Sequence, residues 1–217
     1  MTPKLIEITR IVSTTSALIP VFIGFIRFKR LSPLQRFLVV IVSLSFLVDT
    51  AGGILLNNRT NNLPLYNAYA LVNFNLLWFL YQKEIPKLKN RIIWGSQIAI
   101  NLFAFVNVWF IQYILSFNSN LILLCSISFI VLACYSFYQL LIEIKFTRLE
   151  KNPIFWINSG VIVYYSSTLI LFLLSNQIND ADTNAYNLHL ASWGLNSFFN
   201  VLLNTAYSIA LWVKATK

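Results

Sequence analysis

The chain has 217 residues, of which 58% are hydrophobic and only 11% charged, against about 45–50% apolar and about 25% charged in a soluble domain. Its net charge is +9, but the basic residues sit in three short loops and the C-terminal tail rather than on one face or arm, so no nucleic-acid partner is implied. Apolar runs of about 20 residues recur along the whole length, which excludes a separate soluble domain and predicts an all-α membrane protein, a single seven-transmembrane helix bundle over residues 1–217.

The first predicted span covers residues 5–28. It lacks the charged start, short apolar core and small-residue cleavage site of a signal peptide. It carries Ser13, Thr14, Thr15 and Ser16, then Pro20, which is expected to bend it by removing a backbone donor. Ser32-Pro33 marks a turn into the second span, 37–56, which contains Asp49. The polar loop 57–62 includes the sequon-like Asn58-Arg59-Thr60 and leads into the third span, 65–81, with Tyr66, Tyr69 and Asn73 at i, i+3 and i+7 and Asn75 on a neighbouring face.

The fourth span, 92–114, carries Gln97, Asn101 and Asn107. A turn at 116–120 precedes the fifth span, 121–143, where Tyr135, Gln139 and Glu143 share a face. The sixth span, 155–175, holds Asn158, Tyr164, Tyr165, Ser166 and Thr168. A polar loop over 176–187 with Asp180 and Asp182 leads to the seventh span, 188–213.

Orientation follows from charge. The loops after spans one, three and five hold Arg27, Lys29, Arg30 and Arg36, then Lys83, Lys87, Lys89 and Arg91, then Lys145, Arg148 and Lys151. With Lys214 and Lys217 of the tail they account for all but Lys4, Arg10 and Arg59 of the 16 Lys and Arg residues. The positive-inside rule then predicts the amino terminus outside and the carboxyl terminus in the cytoplasm. Trp78, Trp94, Trp156 and Trp212 near predicted inner ends, and Trp109 and Trp193 near outer ends, fit an interfacial belt.

The polar residues at membrane depth are the candidate site. Asn196, Asn200 and Asn204 at i, i+4 and i+8 line one face of the seventh span. A carboxamide in hydrocarbon finds no water, so such a stripe faces protein or a wet cavity. Asp49 is the one acidic residue far from a predicted helix end; at mid-helix a charged aspartate costs about 2.5–3.5 kcal/mol on insertion scales and needs a partner. Depth counting sets Asp49, Asn73, Asn196 and Asn200 at similar levels in the outer half. With Tyr164, Tyr165 and Asn204 they form a candidate ligand-binding pocket, or else hydrogen-bonded glue between helices. His189, at the outer mouth of the seventh span, reads as a pH-responsive group or an interfacial residue, and Glu143 as a partner of Lys145 or Arg148.

Catalysis is not indicated: no HExxH, GxSxG, phosphate-cradling glycine loop or paired acidic motif occurs. Cys125 and Cys134, nine residues apart in one span, form no CxxC or Cys/His cluster and read as small core residues. No metal and no cofactor are expected.

Seven helices with an outside amino terminus share a topology with rhodopsins and G-protein-coupled receptors. The only lysine of the seventh span is Lys214 at its cytoplasmic end, so retinal has no attachment point, and Asn204-Thr205-Ala206-Tyr207 lacks the proline of the receptor motif. The segments 155–176, FWINSGVIVYYSSTLILFLLSN, and 200–212, NVLLNTAYSIALW, resemble those of small, uncharacterised seven-helix integral membrane proteins of Bacteroidota-type bacteria. Members of that group are often encoded near sensor histidine kinases. The resemblance implies a multi-pass protein of the bacterial inner membrane with a sensory or signal-relay role, whose partners are the lipid bilayer, a sensor kinase or other membrane protein, and a small-molecule ligand. A small-solute transporter and a structural membrane subunit are the alternatives.

Overall fold

The computed structural model describes residues 3–85, 91–142, 148–175 and 183–214, with the backbone alone at 3–6, 91–92, 172–175 and 183–190. Lys87, Lys89, Glu143, Lys145, Asp180, Asp182 and Lys217 lie outside these residues, and the side chains of Lys4, Arg91 and His189 lie outside them too. Among the described residues all regular structure is helical. Eight α-helical segments make seven helices, because the first two, α1 (Pro3–Ser16) and α2 (Leu18–Arg27), are halves of one predicted span. They meet at Ala17 because Pro20 has no N–H to offer the Ser16 carbonyl. Ala17 bonds back to Thr14 in a tighter turn, and Ser16 Oγ donates to the Ser13 carbonyl.

The other helices are α3 (Pro33–Asn57), α4 (Leu63–Glu84), α5 (Arg91–Val106), α6 (Ser119–Ile142), α7 (Pro153–Ser175) and α8 (Thr183–Trp212). Ser32 and Gln35 form a reciprocal capping box at the start of α3, satisfying two donors that the first turn leaves open. At its other end Thr60 N–H bonds the Leu55 carbonyl and Arg59 N–H the Leu56 carbonyl, with Arg59 at φ 56°. That is a Schellman termination with arginine where glycine is usual. α5 closes in a single wide turn over Asn107–Ile111 and stops three residues short of the predicted 114. α8 begins at Thr183, five residues before the predicted 188, so part of the expected loop is helical.

Five stretches are long and apolar enough to cross a membrane: Glu7–Arg30, Pro33–Asn57, Ile93–Ile111, Ser119–Ile142 and Pro153–Leu171. The predicted third and seventh spans, α4 and α8, fall short of that measure. Asparagines and tyrosines are the reason: Tyr66, Asn67, Tyr69, Asn73 and Asn75 lie in α4, and the asparagine stripe in α8.

The helices pack in a ring running α1/α2, α3, α4, α6, α7, α8 and back to α1/α2, with α5 outside it against α4 and α6. The outer face of α5, with Ile98, Leu102, Phe105 and Trp109, is exposed. Apolar side chains from the ring fill one continuous core that includes Leu38, Val42, Phe74, Leu77, Phe129, Ile157, Val161, Tyr207 and Leu211. Small residues let the backbones approach where helices cross. A Cβ built on Gly160 would sit 2.8 Å from Ala206 Cβ, and one on Gly24 2.5 Å from Val39 Cγ2.

The two ends of the bundle differ in chemistry. At one end Asn57, Asn61, Asn67, Asn107, Asn118 and Asn120 gather; we call it the asparagine end. Asn67 Nδ2 of α4 donates to the Ile114 and Ser116 carbonyls and Asn61 Nδ2, in the loop before α4, to the Leu115 carbonyl, which ties both to the α5–α6 connection; Asn107 Nδ2 donates to Asn118 Oδ1 across that connection. The opposite, basic end carries Arg27, Lys29, Arg30, Arg36, Lys83, Arg148, Lys151 and Lys214. There the buried Gln35 donates from Nε2 to the Ala210 and Val213 carbonyls, both at 2.8 Å. Arg27 donates to the Leu211 and Trp212 carbonyls while its guanidinium stacks 4.8 Å from the Trp212 ring. Both contacts occupy carbonyls that the last turn of α8 leaves unbonded.

The tryptophan expectation is corrected at one position. Trp212, Trp109 and Trp94 are exposed at 64%, 70% and 47%, but Trp78 is 5% exposed and packs on Phe74 in the core. Nine residues separate the two cysteines but not one environment: Cys125 is buried, while Cys134 is exposed on the outside of α6 and is not a core residue.

Candidate functional site

The asparagine stripe of α8 faces inward, and each member reaches a different neighbour. Asn200 Nδ2 donates to Ser13 Oγ at 2.9 Å and Asn204 Nδ2 to Ser16 Oγ at 2.9 Å, both on α1. Asn196 Oδ1 accepts from the Tyr164 hydroxyl of α7 at 3.2 Å. Helix periodicity sets the stripe's spacing, and the turn at Ala17 leaves Ser13 and Ser16 facing it.

Asp49 of α3 is hydrogen-bonded to Asn200 and lies in electrostatic range of Tyr66, Tyr69 and Tyr164. Tyr69 bonds Ser45 of α3. Gly52, one turn from Asp49, is the surface on which Tyr66 rests: a Cβ there would lie 2.5 Å from the Tyr66 hydroxyl. Asn73 does not join the stripe; its Nδ2 donates to the Tyr165 hydroxyl at 2.9 Å, one layer further into the core, where Tyr165 packs 4.7 Å from the Phe129 ring.

Of the residues singled out from sequence, Asp49, Asn196, Asn200 and Tyr164 therefore converge. Asn73 with Tyr165 forms an adjoining layer, and Asn204 lies one turn nearer the basic end. Asp49, Tyr66, Tyr69, Tyr164, Asn196 and Asn200 come from α3, α4, α7 and α8, and each keeps part of its surface accessible. Polar groups from four helices thus meet at one level of the bundle.

Four contributors were not singled out as site residues in the sequence: Ser13, Tyr66, Tyr69 and Arg10. Arg10 lies in range of Tyr66, and its Nη2 reaches Asn57 Oδ1 at 3.5 Å, a long contact. Its Nη1 is shielded from solvent and has no hydrogen-bond partner. Arg10 and Ser13, at i and i+3, share a face of α1; that spacing was the available signal.

A second polar group is separate from the first. Asn75 Nδ2 donates to Asn101 Oδ1 at 2.9 Å, while Gln97 Nε2 donates to Asn75 Oδ1 at 3.0 Å and Gln82 Nε2 to Gln97 Oε1 at 3.4 Å. These bonds are satisfied among themselves and hold α5 to α4, a structural role.

Among the described residues no group of three or more His, Cys, Asp or Glu side chains is placed to hold a metal ion. The arrangement offers one carboxyl group, one guanidinium, and several phenols and carboxamides. Comparison with protein-family models, with curated proteins and with solved structures gives no match to the chain.

Proposed function

We propose that the protein is a non-enzymatic seven-helix sensory or signal-relay subunit of a bacterial inner membrane, binding a small ligand through the polar cluster around Asp49. In this reading all seven helices span, α4 and α8 included, because their polar residues are turned into the bundle. The amino terminus and the asparagine end face outward, and the basic end faces the cytoplasm, as its lysines and arginines favour. The resemblance to small seven-helix proteins often encoded beside sensor kinases makes such a kinase, or another membrane protein, the partner of the basic loops.

The observation that carries this reading is the convergence of Asp49, Tyr66, Tyr69, Tyr164 and Asn200 in a half-buried cluster toward the asparagine end. Intramembrane ionisable groups facing a bundle interior mark ligand or ion sites. The test is cysteine accessibility. In a background with Cys125→Ser and Cys134→Ser, Ser45→Cys is expected to react with a small membrane-impermeant thiol reagent added from outside. Leu102→Cys, on the exposed face of α5, is expected to stay unmodified. An unreactive Ser45→Cys in folded protein would sink the pocket reading.

The asparagine stripe favours a second reading. Its bonds to Ser13, Ser16 and Tyr164 are what a purely structural subunit would also use. Under that reading Ser45→Cys stays silent and Asp49→Asn changes stability alone. Saturable uptake into proteoliposomes, lost in Asp49→Asn, would instead assign the pocket to a transporter.

A further inference from the structure

The cluster holds two ionisable groups of opposite sign that do not meet. Arg10 and Asp49 both act on Tyr66, yet among the described residues no ion pair joins them. Arg10 directs one arm to Asn57 at a long 3.5 Å and leaves Nη1 shielded and without an acceptor. A desolvated guanidinium donor with nothing to bond is costly, and the cost is removed by a bound anion. Asp49 is the opposite case. It takes a hydrogen bond from Asn200 and lies in electrostatic range of the hydroxyls of Tyr66, Tyr69 and Tyr164. A carboxylate with polar oxygens around it recognises an ammonium group through charge-assisted hydrogen bonds.

Resting on the pocket reading above, we propose that the ligand is a small flexible zwitterion, its anionic group held by Arg10 and Tyr66 and its ammonium by Asp49. The spacing narrows the class further. Asn57, which Arg10 touches, lies eight residues beyond Asp49 on the same helix, about 12 Å along its axis. Allowing a hydrogen-bond length of about 3 Å at each end leaves about 6 Å between the ligand's charges. An α-amino acid, with both charges on one carbon, is too short. An ω-amino acid of four to six carbons, or a glycine dipeptide, fits.

The test uses full-length protein in detergent and reads binding by calorimetry and thermal shift. The probes are glycine, 3-aminopropanoate, 4-aminobutanoate, 5-aminopentanoate and 6-aminohexanoate, with butanoate and butylammonium as singly charged controls. Affinity is expected to peak at four to six carbons and to exceed glycine and both controls by at least 10-fold. Arg10→Gln should erase the preference for 4-aminobutanoate over butylammonium, and Asp49→Asn its preference over butanoate. Arg10→Lys should restore part of the first. Binding of butanoate as tight as any zwitterion, or a series that is flat with chain length, overturns the proposal. So does a wild type that binds no member of the series. Because those comparisons are made on unmutated protein, a variant that fails to fold does not rescue the idea. If Ser45→Cys reacts from outside and no zwitterion binds, the pocket stands and the ligand class falls. If Ser45→Cys is silent, both fall together.

Discussion

Asn200 on the last helix donates a 2.9 Å hydrogen bond to Ser13 on the first, 187 residues away in sequence. One turn along, Asn204 repeats the contact with Ser16. These bonds close the ring of helices. Asn200 is also the residue that bonds Asp49, so the closure of the ring and the candidate site share a side chain.

The first prediction separates those two duties. Interhelical hydrogen bonds of this kind contribute about 0.6 kcal/mol on average and up to about 1.7. Asn204→Leu, whose side chain bonds Ser16 alone among the described residues, is expected to lower thermal stability within that range and to leave Ser45→Cys accessibility unchanged. Asn200→Leu should cost more, because it also strips Asp49 of a donor. Equal effects of the two variants would show that the Asp49 contact contributes nothing.

The crossing of α7 and α8 gives a second. Gly160 admits Ala206 with no room for a Cβ, which would also lie 3.1 Å from Leu203 Cδ1. Gly160→Val is expected to destabilise by about 1–3 kcal/mol through overpacking. Gly160→Ala should be milder, and Gly160→Ala combined with Ala206→Gly should recover much of the loss. Detergent thermal unfolding reads all three; an additive double variant would show that the contact is not the cause.

At the basic end, Gln35 serves two helices at once, accepting from Ser32 N–H and donating to two carbonyls of the last turn of α8. Gln35→Leu leaves buried carbonyls unbonded, at about 1–3 kcal/mol each where water does not replace the partner. Limited proteolysis should then cut near Lys214 faster than in wild type. Unchanged cleavage would mean that Arg27 alone holds that end.

Arg59 offers a change in the other direction. A left-handed backbone costs a residue with a side chain about 1–2 kcal/mol, and φ at Arg59 is 56°. Arg59→Gly is expected to raise stability by up to about 1 kcal/mol, since glycine's freedom in the unfolded chain offsets part of the gain. A lower melting temperature would assign Arg59 a contact that the backbone argument omits.

The sequence made some of this legible and hid the rest for identifiable reasons. Spacing alone showed that Asn196, Asn200 and Asn204 share a face, because helical period is a local property. It did not show that the face would meet α1: which helices become neighbours is set by the closure of the whole ring, and serines in an apolar run carry no mark of a distant partner. The candidate pocket sets residues of helices two, three and six beside the seventh; the sixth, α7, does pack on it, and the first, which the spacing does not point to, bonds to it as well. In the sequence the charge of Arg10 bears on orientation alone, and its shielded Nη1 depends on tertiary packing. Trp78 misled for the opposite reason. Indoles favour interfaces on average, but Trp78 lies on the same face of α4 as Phe74 and Tyr81, and that face is core.

The contact between the first helix and the last also has a temporal side. A chain made at about 5–20 residues per second releases Arg10, Ser13 and Ser16 some ten seconds or more before Asn200 and Asn204 exist. During that interval the polar face of the earliest helix has no answering surface from its own chain. It must wait beside lipid, insertion machinery or α3, and the ring can close only once α8 has been made. Ribosome stalling or truncation ahead of α8 would therefore strand a half-made ring with its hydrophilic seam open, an evident target for membrane proteases.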